Sequence, residues 1–128
     1  MTEDKKQLVL VVEDNEDNRV LISMILNKSG YQTIWADTGL KGVQFAAEQA
    51  PDIVLLDIQL PDIEGTEVLQ RIRGLETAAA SVPIIAMTSY AMSGDREKLL
   101  AAGCDGYIEK PIDPWRVIAQ IQSIVGHS

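Results

Sequence analysis

The sequence predicts an α/β domain in which five βα units build an open parallel sheet with helices on both faces. Three observations carry this. Five short β-favouring runs alternate with stretches of helical periodicity, and the connections between them are short. The first run, Leu8-Val9-Leu10-Val11-Val12, is apolar at every position, as suits a strand covered on both faces. Right-handed crossovers leave few other arrangements for such a chain, and five units are too few for an eight-fold barrel.

The elements follow in order. After the first strand, Asn15 offers a cap to a helix whose apolar spacing is read at Leu21, Met24, Ile25 and Lys28, with Gly30 as its stop. Residues 31–36 form a second strand. Thr38 caps a helix with an apolar stripe of Leu40, Val43 and Ala47, ended by the Pro51 turn. The third strand covers residues 52–56, and a loop holding Pro61 and Gly65 leads to a helix carrying Val68, Leu69 and Ile72. The fourth strand covers residues 83–87. Ser93 caps the next helix, which runs through Leu99, Leu100 and Ala101 to Gly103. A fifth strand spans Gly106 to Glu109, and Asp113-Pro114 opens a last helix with Val117, Ile118, Ile121, Ile124 and Val125.

Composition bounds the function. The 128 residues make one domain, 1–128 with its core at about 8–125, and the 46% hydrophobic and 23% charged residues are those of an ordinary soluble chain. A net charge of −8, from 11 basic against 19 acidic residues, argues against nucleic acid as a partner. The single cysteine, Cys104, excludes an intrachain disulfide and reads as a small packing residue. No apolar stretch approaches the roughly 18–20 residues needed to span a bilayer, and the first seven residues are polar, so no membrane contact and a cytoplasmic location are expected. Trp35 and Trp115 read as packing residues, and His127 lies at the chain end.

In open sheets of this kind ligands sit at the carboxyl ends of the strands. The chemistry-bearing residues fall there: Glu13 and Asp14 after the first strand, Asp57 after the third, Thr88 after the fourth and Lys110 after the fifth. A strand that ends in a lone carboxylate, near further carboxylates, is a poor core and a good cradle for a divalent metal beside a nucleophile.

The set Glu13-Asp14-Asn15, Leu56-Asp57 with Pro61 and Gly65, Met87-Thr88-Ser89, and Lys110-Pro111-Ile112 resembles the receiver domain of two-component response regulators. Each motif alone is weak, but four in this order, each at a strand end, cover nearly the whole chain. The resemblance implies a flavodoxin-like (βα)5 doubly wound sheet of strand order 2-1-3-4-5, with the first and third strands side by side. It implies that Asp14 and Asp57 ligate Mg2+ directly, that the backbone carbonyl of Gln59 completes the protein ligands, and that Glu13 acts through a bound water. Close carboxylates repel, one pair by up to about 4 kcal/mol at an effective dielectric near 20. A hard cation with oxygen ligands relieves this.

By the same resemblance Asp57 accepts a phosphoryl group from a phosphohistidine on a sensor histidine kinase or histidine phosphotransfer protein. Lys110 and Thr88 meet the phosphoryl oxygens. The domain then catalyses only its own phosphorylation and dephosphorylation. Thr88 and Tyr107 are the expected switch, and the face of the fourth helix, fifth strand and fifth helix, with Tyr90, Met92, Ile108 and Trp115, is where a downstream protein target docks. Gln59 and Tyr90 are placed to shape access of the hydrolytic water. Pro111 follows a bond whose cis or trans state the sequence leaves open.

Each assignment has a plainer rival. Asp14 and Asp57 also suit turns, Thr88 a strand end, Lys110 a solvated charge, and Tyr107 core packing. Glu13, Ile63 and Glu64 depart from the commoner Asp, Met and Asp of the family. A flavin-binding relative of the same sheet would need a Ser/Thr/Gly-rich phosphate loop where Glu13-Asp14-Asn15-Glu16-Asp17 stands. An aspartate-dependent phosphatase would carry a second acid at position 59, where this chain has Gln59. The expectation is a stand-alone receiver. The alternatives are a receiver excised from a hybrid histidine kinase and a receiver-like docking module that is never phosphorylated.

Overall fold

The computed structural model describes residues 6–89 and 93–126. Strands β1 (Leu8–Val12), β2 (Gln32–Ala36), β3 (Ile53–Asp57), β4 (Ile84–Thr88) and β5 (Gly106–Glu109) alternate with helices α1 (Glu16–Lys28), α2 (Gly39–Gln49), α3 (Gly65–Arg73), α4 (Ser93–Ala102) and α5 (Val117–Val125). All pairings are parallel and the order is β2-β1-β3-β4-β5. The five units and the implied strand order are both present, and β1 lies beside β3. Boundaries of β2, β3 and β4 start one residue later than expected, and β3 takes in Asp57 itself.

Apolar runs form these strands because every side chain has a covered face to enter. Val9 and Val11 pack with Ile22, Leu26 and Ile121 in one core. Leu10 and Val12, one residue out of phase, pack with Ala46, Val68 and Leu69 in the other. Burying a side chain of this size contributes about 1.5–3 kcal/mol, so a register slip that exchanged the two faces is strongly disfavoured.

Several helix faces differ from the expected ones. In α1 the buried residues are Ile22 and Leu26, whereas Leu21 and Met24 are 39% and 63% exposed. The cause is a surplus of apolar residues between Val20 and Leu26, which supports more than one helical phase. In α2 the buried positions are Gly39, Gly42 and Ala46, while Leu40 and Ala47 face solvent. That helix ends before Pro51, at Ala50, whose φ of 46° and ψ of 59° are left-handed. In α4 Leu99 is buried and Leu100 exposed. α5 begins at Val117, because Asp113 caps a preceding turn: its Oδ1 accepts from Trp115 N at 2.9 Å and its carbonyl from Val117 N at 2.9 Å. Neither tryptophan packs as expected. Trp115 is 94% exposed, and Trp35 is 51% exposed with the Arg19 guanidinium 4.2 Å from its ring centroid.

The amino ends of β4 and β5 are locked by Arg73, the last residue of α3. Its guanidinium donates to the carbonyls of Gly103 (2.9 Å), Ala80 (3.0 Å) and Val82 (2.6 Å) and to Asp105 Oδ2 (2.9 Å). The same carboxylate oxygen accepts from Ile84 N at 2.8 Å. Among the described residues no helix is long and apolar enough to cross a membrane.

Candidate functional site

β1 stops where Glu13 begins a loop. Its N–H still donates to Ala36 O at 3.0 Å, but Asn15 then turns the chain into α1 by accepting from Asn18 N at 2.9 Å. Asn15 N in turn donates to Glu13 Oε2 at 3.2 Å. From α1, Arg19 Nη1 reaches back to the carbonyls of Glu13 (3.1 Å) and Asp14 (3.2 Å). The acidic loop is thus fixed by backbone, cap and guanidinium together.

β3 delivers Asp57 beside it. Glu13 and Asp57 are buried, Asp14 is exposed, and one carboxylate oxygen from each lies within 4.8 Å of the other two. Asp57 Oδ1 accepts from Gln59 N at 3.0 Å and its Oδ2 faces Lys110 Nζ at 3.1 Å. The same ammonium donates to Glu13 Oε1 at 3.0 Å. Lys110 stands just beyond β5, whose register with β4 is continued by Lys110 N donating to Thr88 O at 2.8 Å. The peptide before Pro111 is cis.

The loop after Asp57 is closed at its base. Ile58 N donates to Met87 O at 3.1 Å, and Gly65 N donates to Ile58 O at 3.0 Å. A side chain at residue 65 would place its Cβ 2.6 Å from Ile58 Cα, so only glycine fits where helix and loop meet.

The charges do not balance. Burial, then the hydrogen bond and negative charge of Asp57, raise the Glu13 carboxyl above its ordinary value against the opposing pull of Lys110. Burial opposes the charge on Lys110, yet its bonds to Glu13 and Asp57 outweigh this and leave its pKa raised. Three carboxylates cluster here, and two of them, Glu13 and Asp57, share one ammonium. This hard-oxygen donor set fits Mg2+, which takes carboxylate and carbonyl ligands and keeps waters.

Glu13, Asp14, Asp57 and Lys110 therefore come together as the sequence suggested, and Gln59 joins them through its amide. Thr88 is buried at the adjoining strand end. Tyr107 is half-buried, opposite Ala86 in the β4–β5 register, and packs against the core under α2 and α3. Tyr90, Met92 and His127 lie outside the described residues. Sequence reasoning missed Arg19, although a cation one turn into the helix after an acidic loop is a usable signal. It also missed Asp62, whose partners lie 22 and 23 residues away.

Residues 9–122 match the response regulator receiver domain family. The chain belongs to that family. The receiver is 42% identical over 118 residues to the polar-differentiation response regulator DivK of Brucella ovis, covering 92% of this chain and 95% of DivK. Among solved structures it is similar to the receiver domain of a sensor histidine kinase from Pseudomonas aeruginosa, at 35% identity and a TM-score of 0.85 over 95% of this chain and 99% of that one. That structure holds a magnesium ion coordinated in its active-site cleft. A CheY-like receiver protein from Methanospirillum hungatei is 30% identical with a TM-score of 0.86, covering 95% of each chain. Two-component signalling is the setting in which this receiver belongs.

Proposed function

We propose that this receiver accepts a phosphoryl group on Asp57 in an Mg2+-dependent reaction and passes the signal on through protein contacts. The observation that carries the reading is Asp57 itself: a buried carboxylate at a strand end, 3.1 Å from Lys110 and clustered with Glu13 and Asp14 within 4.8 Å. Asp14, Asp57 and the Gln59 carbonyl would hold the ion, with Glu13 acting through water. When bound, Mg2+ offsets the crowded carboxylates and the charge on the phosphoryl oxygens.

A carboxylate oxygen of Asp57 bonds to phosphorus as the phosphohistidine N–P bond breaks, the electron pair leaving with the imidazole of a sensor histidine kinase or histidine phosphotransfer protein. Lys110 is already at the carboxylate and meets the phosphoryl oxygens without travelling. Thr88 donates its hydroxyl to the same oxygens, and water later cleaves the acyl phosphate to release inorganic phosphate. An open groove of about 360 Å³ beside Lys110, lined in part by Leu21, Ile22, Pro111 and Ile112, supports docking of the donor against α1. Thr88 and Tyr107 would relay the new charge to the α4–β5–α5 face, where the 94% exposed Trp115 favours a downstream protein target.

The likeness to DivK over most of both chains favours a receiver acting as a single unit. A second reading, a receiver segment of a hybrid histidine kinase, is favoured by the 35% identity to a sensor kinase receiver. Both readings share the chemistry. Acetyl phosphate with Mg2+ should add one labile phosphoryl group by intact mass, absent in Asp57→Asn and in EDTA. No gain in the folded wild type would leave a docking module that is never phosphorylated.

A further inference from the structure

The N-terminus of α2 is capped from two directions. Thr38 Oγ1 accepts from Lys41 N at 3.1 Å, as a local cap does. Gly39 N and Leu40 N, the two donors before it, are taken instead by Asp62 from the loop between β3 and α3, at 2.8 Å to Oδ1 and 2.9 Å to Oδ2. α2 has no acidic residue in its own first turn, so Asp62 supplies the negative charge that a helix N-terminus favours. Contact is close as well as polar: a Cβ on Gly39 would lie 2.7 Å from Ile63 Cγ1 and 2.8 Å from Val68 Cγ2.

This loop has two other fixed points, the Ile58–Gly65 bond at its base and the Gln59 N–H on Asp57 Oδ1. Asp62 fixes its far side. Without those bonds, residues 59–64 would keep the base, the Gln59 bond and the apolar packing of Leu60 and Ile63 but lose their polar tie to α2, and Gln59 is the residue that both orients the Asp57 carboxylate and is expected to lend its carbonyl to the ion.

We propose that Asp62 is a positioning residue for the phosphoryl-accepting site, anchoring the loop that carries Gln59 to the start of α2. This rests on the Mg2+ and Asp57 chemistry above. The carboxylate is exposed and touches neither Asp57 nor the cluster with Glu13 and Asp14, so it acts through the loop. Partial desolvation raises its pKa, but the backbone N–H donors around it, those of Leu40 and Gly39 foremost, together outweigh this and leave the pKa lowered and the anchor charged at neutral pH.

Three variants separate positioning from general weakening of α2. Asp62→Ala removes the anchor, Gly39→Ala forces the loop away from the helix side, and Thr38→Ala weakens the same helix start without touching the loop. In metal-free protein, hydrogen exchange at the Gln59 amide should quicken by about tenfold in the first two and stay near wild type in Thr38→Ala. Mg2+ affinity measured by calorimetry should fall by about tenfold in the same two, the low end for partners that orient metal ligands. Unchanged Gln59 exchange in Asp62→Ala, or equal acceleration in Thr38→Ala, would overturn the inference. Wild type that exchanges as expected but binds no Mg2+ would instead overturn the reading on which it rests.

Discussion

The two ends of β4 carry the two main ionic clusters of the described structure, and they are built on opposite terms. At the amino end, Arg73 meets three carbonyls and Asp105, and Asp105 also receives Ile84 N, so the guanidinium is engaged on all sides. At the carboxyl end, Glu13, Asp14 and Asp57 cluster together, and Lys110 pairs with Glu13 and Asp57. The first arrangement stabilises the fold by itself. The second leaves like charges close together, which costs stability until a cation arrives.

The contrast predicts opposite signs for removing a charge. Asp57→Asn should abolish phosphoryl uptake in the mass assay while raising the melting temperature of the metal-free protein; a fall in melting temperature would break the comparison. Arg73→Ala should lower the unfolding free energy by about 2–4 kcal/mol in urea denaturation, since several carbonyls lose a charged donor at once. Its phosphoryl uptake should persist wherever the chain remains folded.

Smaller effects sharpen the same contrast. Glu13→Gln should raise the metal-free melting temperature by about 2–5 °C, with the gain shrinking as Mg2+ is added. The sign follows from proton linkage. Because the folded Glu13 carboxyl titrates above its ordinary value of 4.5, the folded chain holds more protons through that window. Its contribution to stability therefore declines as pH rises from 4.5 through the raised value, and Glu13→Gln should flatten this part of a pH–stability curve. Lys110 contributes with the same slope in a higher window: its stabilisation is complete below the ordinary lysine value of 10.5 and is lost as pH rises through its raised value. Smallest of all, Ala50→Gly should add about 0.5–1 kcal/mol in the same urea assay by relieving a left-handed alanine far from either cluster, less whatever glycine costs through unfolded-chain entropy.

Much of this was legible in the chain. The strands could be read because Leu8 to Val12 and Ile53 to Leu56 are apolar on both alternating phases, a pattern that demands cover on both faces. The acidic residues could be read because strand ends are fixed once strands are found. Helix faces were harder. In α1 Val20, Leu21, Ile22, Met24, Ile25 and Leu26 satisfy several phases, and only packing selects Ile22 and Leu26. Trp35 was misread because a large aromatic at a sheet edge can lie under a guanidinium in solvent as well as in a core. Asp62 and Arg73 were illegible because their partners are brought near by topology alone, across separations of up to 23 and 32 residues.

The bond from Lys110 to Glu13 joins residues 97 positions apart. Chains are synthesised from the amino end, so the acids after β1 exist for most of synthesis without the ammonium that faces them. A nascent chain or a proteolytic fragment ending before β5 would present the carboxylates and lack their counter-charge. The proposed competence to hold a phosphoryl group would thus arrive last, and its appearance would report that the final strand has docked.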